Sequence, residues 1–333
     1  MLVRSGKLPK GFVLAKPIAQ EGYDESVIYE LERQDRLIIE RKRDGWKMFA
    51  VVGSTGKVRF FTDGLNEIDS RLDHIKKELE SLKLPSETVL VGEAISDLDN
   101  SDDLGKVISI FHSNTEKSIR FQKINSKLKF MVFGAIYPEG KPGMQYDLTH
   151  KLISMTLVPP NALGPVPKYV FPVRILNMSF DEAKKLVVEK GWEGLVLYDR
   201  NYVLSYRLDG KNPKRPEGCY KWKPIWEDDF VVRDKIMRSA DEGVKELVLL
   251  QIDPFTKKEF YCGKLGSFSG NMRYELRFMS YPLVVQAKFE MRFPKSGKIR
   301  NARFLRIRTD KPIHQCVAPK SYQEAEYLQK KVR

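Results

Sequence analysis

An apolar run, Leu37-Ile38-Ile39, leads within three residues into Lys42-Arg43-Asp44-Gly45, and this junction constrains the chain more than any other segment. Successive branched apolar residues read as a buried strand, and Asp-Gly marks an abrupt turn. A primary amine therefore stands at a strand end, with the carboxylates of Glu40 and Asp44 on either side. A lysine held in this way can act as a nucleophile. The tetrapeptide alone would equally suit a solvated turn between two strands, so its meaning rests on the segments downstream of it.

Strand-like runs dominate the next two hundred or so residues. Residues 46–52 and 57–61 flank Gly53-Ser54-Thr55-Gly56, the pattern of a hairpin. Ile68, Leu72, Ile75, Leu79 and Leu82 fall on one face of an expected amphipathic helix. Residues 88–95 and 128–137 are apolar, branched or aromatic runs suited to inner strands, and 194–198 and 220–223 are shorter ones. Ser179 with Glu182 makes a capping box for a helix reaching about Lys190. After Trp226 the texture changes to Glu227-Asp228-Asp229 and then short strands at 230–233, 246–252, 284–289 and Arg303–Ile307. Such a series suggests a small β-barrel with Greek-key connections. A last helix is expected to start near Ser321, with Glu324 at its third position.

A chain of 333 residues exceeds one ordinary core, so two domains are expected, 1–226 and 227–333. No apolar stretch approaches a membrane span. Cys219, Cys262 and Cys316 are scattered and odd in number, which suggests a reducing compartment and no zinc cluster. None of the four histidines pairs with a cysteine at ligand spacing. The formal charge of +14 favours a polyanionic partner. From Glu227 onward 22 Lys and Arg face 14 Asp and Glu, so the surplus leans toward the C-terminus. Residues 208–217 read as a basic loop.

Attack on a phosphorus atom needs a neutral lysine, and an unperturbed lysine has a pKa of about 10.4. Being three units too basic costs about 4 kcal/mol near neutral pH unless neighbouring cations or a metal help. In Tyr220-Lys221-Trp222-Lys223-Pro224 strand alternation points Lys221 and Lys223 to one face. Glu93 and Glu193 end short apolar approaches, and a carboxylate beside buried strands needs a partner. One suits a ribose hydroxyl and the other a divalent metal spanning phosphates. Phe133 could stack on a purine or serve as plain core. Arg300, Arg303, Arg306 and Arg308, alternating with apolar residues before Thr309-Asp310-Lys311, read as a strand with one cationic side, suited to pyrophosphate or a nucleic-acid backbone.

Taken in order, these segments resemble the ATP-dependent DNA ligases of the covalent nucleotidyltransferase superfamily. Lys42-Arg43-Asp44-Gly45 is similar to motif I, Val91-Gly92-Glu93 to motif III, and Phe130-Met131-Val132-Phe133 to motif IIIa. Trp192-Glu193-Gly194-Leu195-Val196 is similar to motif IV, Lys221-Trp222-Lys223 to motif V, and the stretch from Arg303 to Lys311 to motif VI. Cys262-Gly263-Lys264-Leu265-Gly266-Ser267-Phe268 resembles a glycine turn of the ligase barrel. The resemblance implies an α+β fold: an antiparallel-sheet, ATP-grasp-like nucleotidyltransferase (adenylation) domain followed by an OB-fold barrel. It implies that Lys42 takes AMP from ATP, passes it to the 5′-phosphate of a nick in duplex DNA, and that the 3′-hydroxyl then displaces AMP. Glu40 and Phe133 would contact adenine and Glu93 the ribose, with Asp44, Gly45 and Lys47 around the nucleotide. Lys221 and Lys223 would hold the α-phosphate and Glu193 a Mg²⁺ ion, with Mn²⁺ a possible substitute. Arg308, Asp310 and Lys311 would orient pyrophosphate. A monomer of this compact type, found in the cytoplasm of bacterial or phage-infected cells, would have to clamp nicked DNA with its barrel, 208–217 and 113–127.

The chain departs from the family pattern in three places. Lys47 stands where an arginine is common, Asp63 falls where motif Ia usually carries arginine, and Gly134 replaces a frequent acidic residue. Asp63 would not bind a phosphate, so a DNA contact by its strand is not expected. An RNA ligase, a GTP-using capping enzyme, or a non-catalytic DNA-binding protein on the same scaffold are the competing readings.

Overall fold

The computed structural model describes residue 3 and residues 6–98, 104–137, 146–157, 167–238, 243–293 and 296–319. The chain divides into two compact units, Met1–Lys223 and Pro224–Arg333. The first holds strands β1 (Val13–Leu14), β2 (Leu37–Lys42), β3 (Trp46–Val52), β4 (Val58–Thr62), β5 (Glu67–Ile68), β6 (Val89–Ile95), β7 (Lys129–Ile136), β8 (Val170–Pro172), β9 (Gly194–Asp199), β10 (Tyr206–Arg207) and β11 (Cys219–Trp222). Its helices are α1 (Ser26–Arg33), α2 (Asp73–Ser81), α3 (Leu104–His112), α4 (Thr115–Ile124), α5 (Tyr146–Leu157) and α6 (Phe180–Lys190).

The turn after Lys42 is not a hairpin. β2 pairs antiparallel with β9, in a sheet ordered β11-β9-β2, whereas β3 pairs with β4 and β6. That second sheet runs β5-β4-β3-β6-β7-β8 and is antiparallel except for β7 with β8. Lys42-Arg43-Asp44-Gly45 therefore carries the chain from one sheet to the other, and the solvated-turn reading fails. Gly45 is required for the crossing: a Cβ there would lie 2.3 Å from the Ala94 carbonyl oxygen and 2.8 Å from Glu93 Cγ.

Period-two alternation places both faces of the larger sheet in cores. Met48, Ala50, Leu90, Phe130 and Val132 pack with Ile75 and Leu79 of α2, while Phe49, Val51, Val89 and Val91 pack with Phe12 and Leu14. The smaller sheet buries Ile39, Leu195, Leu197 and Trp222 against Ile28 and Leu31 of α1 and Phe180, Ala183 and Val187 of α6. Its other face presents Ile38, Glu40 and Lys42, with Val196 and Tyr198 opposite. The Ser179–Glu182 capping box forms as read from the sequence, and Gly191 closes α6 in the left-handed conformation. The Gly53–Gly56 hairpin also forms, joining β3 to β4. The helix expected from Ile68 begins later. Ile68 pairs with Phe60 in β5, and Asp69 caps a 3₁₀ turn before α2 starts at Asp73. Within segment 113–127, α4 occupies Thr115–Ile124.

The second unit contains β12 (Trp226–Met237), β13 (Val244–Ile252), β14 (Glu259–Leu265), α7 (Gly270–Phe278), β15 (Leu283–Phe289), β16 (Met291–Arg292), β17 (Ile299–Arg300) and β18 (Arg303–Ile307). Five strands form an antiparallel sheet ordered β14-β13-β12-β15-β18, and β16 pairs with β17. The expected closed barrel is corrected here to an open sheet: among the described residues β14 and β18 do not pair. Their ends are joined instead through Ser267, whose hydroxyl donates to the Ala302 carbonyl and accepts from the Phe304 amide. Side-chain bonds thus satisfy backbone groups that a ladder would otherwise use.

The four arginines expected on one strand are split. Asn301, at φ 54°, separates Arg300 in β17 from β18. Within β18 a bulge between the pairs Gln286–Arg306 and Ala287–Phe304 resets the alternation. Phe304 and Ile307 consequently both pack on the core beside Val285 and Ala287, while Arg303 and Arg306 share the face of Lys288 and Gln286. The helix expected near Ser321 lies outside the described residues. Among the described residues no helix is long and apolar enough to cross a membrane.

Candidate active site

Between the two sheets of the first unit lies a cavity of about 280 Å³. Glu40 and Lys42 reach it from β2, Lys47 from β3, Glu93 from β6, Phe133 from β7 and Lys221 from β11. Sequence reasoning singled out all six. Alternation explains the placement: Lys42 pairs with Gly194, Glu40 with Val196, and Lys221 with Val196 across β9.

Glu193 is the centre of charge. One carboxylate oxygen lies 2.7 Å from Lys42 Nζ and the other 2.8 Å from Lys223 Nζ. Gly194 permits this approach, since a Cβ there would lie 2.2 Å from the Trp222 carbonyl oxygen. Burial pushes the Glu193 carboxyl up, but Lys42 and Lys223 outweigh it and the group ends below the usual carboxylate range. Burial likewise pushes Lys42 down, yet Glu193, Glu93 and Asp44 reverse the sign and leave its amine more basic than usual. In this arrangement Lys42 is a held ammonium and not yet a nucleophile. Gly45 donates its amide to Glu93 Oε1 at 3.1 Å, tying the turn to the next sheet.

Asp63, the departure in the motif Ia position, has a partner. Lys47 Nζ lies 2.8 Å and Lys16 Nζ 3.8 Å from its carboxylate. Asp63, in the turn after β4, thus restrains a cation at the edge of the site.

In the second unit Arg308 and Lys311 converge on buried Asp229, at 3.1 and 2.7 Å, and Arg308 also binds Asp310. Arg308 holds the Asp310 carboxyl down at about 2. These three residues therefore form a cluster around an aspartate that sequence reasoning noted only as part of an acidic run.

Several residues of the cavity were missed. Tyr198, Tyr202 and Cys219 line it, and the Tyr146 hydroxyl donates to Glu40. Tyr198 could have been found, since alternation from Val196 puts it on the Glu40 face. Tyr146 comes from α5, distant in sequence, and no local pattern announces it. Lys16 and Arg215, from irregular segments, also line the cavity.

Among the described residues no three His, Cys, Asp or Glu side chains are grouped to hold a metal ion. Both oxygens of Glu193 are engaged by ammonium groups. A carboxylate oxygen such as that of Glu193 is the donor type that a hard cation such as Mg²⁺ takes.

Residues 14–223 match the family described as the ATP dependent DNA ligase domain, and the chain belongs to that family. It is an ATP-dependent DNA ligase, an enzyme that joins a 5′-phosphate to a 3′-hydroxyl at a nick. A solved structure named Pmar-Lig_Pre is similar, with TM-score 0.68 and 19% identity over 90% of this chain and 69% of that one. A Lig E DNA ligase, described as binding DNA with a minimal scaffold, gives TM-score 0.61 and 18% identity over 89% of this chain and 99% of that one. At such identities these likenesses speak for the fold. No curated protein matches the chain.

Proposed function

We propose that Lys42 is the residue that carries AMP. Its amine attacks the α-phosphorus of ATP, a P–N bond forms, and the bond to the β-phosphate oxygen breaks with loss of pyrophosphate. The 5′-phosphate of a nick then displaces Lys42, and the 3′-hydroxyl finally displaces AMP. The observation that carries this reading is the Glu193 carboxylate bridging Lys42 and Lys223 beside a nucleotide-sized cavity.

Glu193 keeps Lys42 charged, so the amine becomes reactive once that carboxylate is drawn elsewhere. Glu193 is the residue that would hold Mg²⁺, or Mn²⁺ in its place, together with phosphate oxygens of the nucleotide. The metal would supply charge neutralisation on the reacting phosphates. Lys223 then gives up its Glu193 partner and, with Lys221, holds the α-phosphate. Glu40 accepts from the adenine amino group, Phe133 covers the base, and Glu93 binds the ribose while anchoring the Gly45 amide. Lys47 and Asp44 border the nucleotide. Arg308 and Lys311 take pyrophosphate, Asp310 orients Arg308, and Asp229 holds both cations until a stronger anion arrives.

The second unit is proposed to be an OB-fold. The strand order third-second-first-fourth-fifth, a helix between the third and fourth strands, and the Ser267 bridge between the edge strands support this. Its exposed Arg303 and Arg306 beside Lys288 suit a DNA backbone. We take the enzyme to be a cytoplasmic monomer that clamps nicked duplex with this face, residues 208–217 and 113–127. Footprinting on nicked DNA that leaves these segments unprotected would remove the clamp proposal. Incubation with α-labelled ATP and Mg²⁺, chased with nicked DNA, tests the chemistry: label should join the protein and then leave it for the DNA. A protein that seals nicks without ever carrying label would overturn it.

A further inference from the structure

We propose that Gln20 is a positioning residue for Lys223: its side-chain amide holds the backbone just past the end of β11, where the sheet no longer does, and so keeps the Lys223 amine in place for the α-phosphate. This rests on the reading above that Lys223 holds that phosphate.

β11 is an edge strand of the sheet ordered β11-β9-β2. Its last paired residue is Trp222, opposite Leu195, and Pro224 follows two residues later. Lys223 therefore lies beyond the ladder, and proline brings no N–H with which to extend it. Backbone past a ladder needs other partners, yet the Lys223 Nζ stands 2.8 Å from Glu193. The segment before α1 supplies the restraint. Ile18 lies parallel to Tyr220 along β11, donating its amide to the Cys219 carbonyl at 2.8 Å and accepting from the Lys221 amide at 2.9 Å. The Tyr23 hydroxyl donates to the Lys221 carbonyl at 3.3 Å. In the orientation that satisfies both ends of its amide, Gln20 donates to the Lys223 carbonyl at 2.9 Å and accepts from Trp222 Nε1 at 3.2 Å. The same indole N–H reaches Glu25 Oε1 at 3.0 Å, and the Trp222 ring is buried against Phe180.

Loss of this hold has two effects. A displaced Lys223 no longer meets the charge that develops on the α-phosphate during attack, which weakens the transition state more than the binding of ATP. Lys42 and Lys223 also share Glu193, and Lys42 is further flanked by Glu93 and Asp44. Moving the second cation away leaves Lys42 among three carboxylates, and its amine becomes harder to deprotonate.

The test follows single-turnover lysine labelling by α-labelled ATP and Mg²⁺ across pH, with the full chain. Gln20→Met keeps the length of the side chain, adds no charge and removes its hydrogen bonds. Gln20 is half-buried in a 3₁₀ turn, so the variant retains the core. The maximal rate should fall about tenfold, the worth of one hydrogen bond, with the half-saturating ATP concentration changed less than about twofold. The rising limb of the pH profile should move to higher pH. Added to Lys223→Ala, whose residual labelling is followed over hours, Gln20→Met should cost nothing further. An unchanged maximal rate, an unmoved pH limb, or an equal loss in the Lys223→Ala background overturns the inference while leaving the site reading intact. Lys223→Ala that labels as fast as wild type, or wild type that never takes label, removes the reading on which the inference rests.

Discussion

Replacing Glu193 by glutamine keeps its shape and removes its charge, and the structure fixes the consequence. Two ammonium groups at 2.7 and 2.8 Å lose their common partner, in a place where the Glu193 side chain is 7% exposed. At an effective dielectric of about 20, each contact is worth about 6 kcal/mol before desolvation. Desolvation cancels much of that, and breaking a buried pair from one side costs about 3–5 kcal/mol net. Glu193→Gln should therefore destabilise the first unit by about 3 kcal/mol at pH 7, read by urea unfolding with hydrogen exchange of the β2 and β9 amides. The pH dependence has a definite sign. Glu193 is depressed in the folded state, so its stabilisation is present above the unfolded value of about 4.3 and is lost as pH falls through the lower folded one. Lys42 is raised, so its share is complete below the unfolded value of about 10.4 and fades as pH rises through the higher folded one. The gap between wild type and variant should be level from about pH 5 to 10 and close below about pH 4. A gap under about 1 kcal/mol at pH 7, or one that persists undiminished in strong acid, would refute the reasoning.

Other substitutions probe neighbouring joints. Gly45→Ala puts a Cβ 2.3 Å from the Ala94 carbonyl oxygen, and should cost about 1–3 kcal/mol in thermal unfolding and slow lysine labelling sharply. The Lys47–Asp63 pair, with Asp63 43% exposed, should show a coupling of only about 0.5 kcal/mol in a double-mutant cycle of Lys47→Ala and Asp63→Ala. Asp229→Asn leaves Lys311 and Arg308 without their shared carboxylate. By the same reasoning as for Glu193 it should destabilise the second unit by about 3 kcal/mol, a fall in melting temperature of roughly 12 °C or more by calorimetry, while lysine labelling itself survives.

Much of the site was legible because strand alternation is a strict geometric rule. Once Leu37-Ile38-Ile39 is a strand, Glu40 and Lys42 must share a face, and Lys221 and Lys223 likewise. The crossing from one sheet to the other was less legible, since Asp-Gly serves a hairpin equally well. What decides it is Gly45 against Ala94 and Glu93, a contact 48 residues away in sequence from the glycine to its acid partner. The β18 bulge was illegible for a similar reason: Phe304 and Ile307 both face the core, a spacing of three that simple alternation forbids. Tyr146 meets Glu40 across 106 residues, and no periodicity encodes such a pairing. Barrel closure failed as an expectation because Ser267 bridges by its side chain what a ladder would bridge by backbone.

One amine carries the whole chemical scheme, and peptide mapping by mass spectrometry after exposure to ATP and Mg²⁺ interrogates it directly. The modified peptide should contain Lys42, gain one adenylyl group, and lose it on addition of nicked DNA. An adenylyl group on a different side chain, or an unmodified Lys42 in protein that is actively sealing nicks, would contradict the assignment.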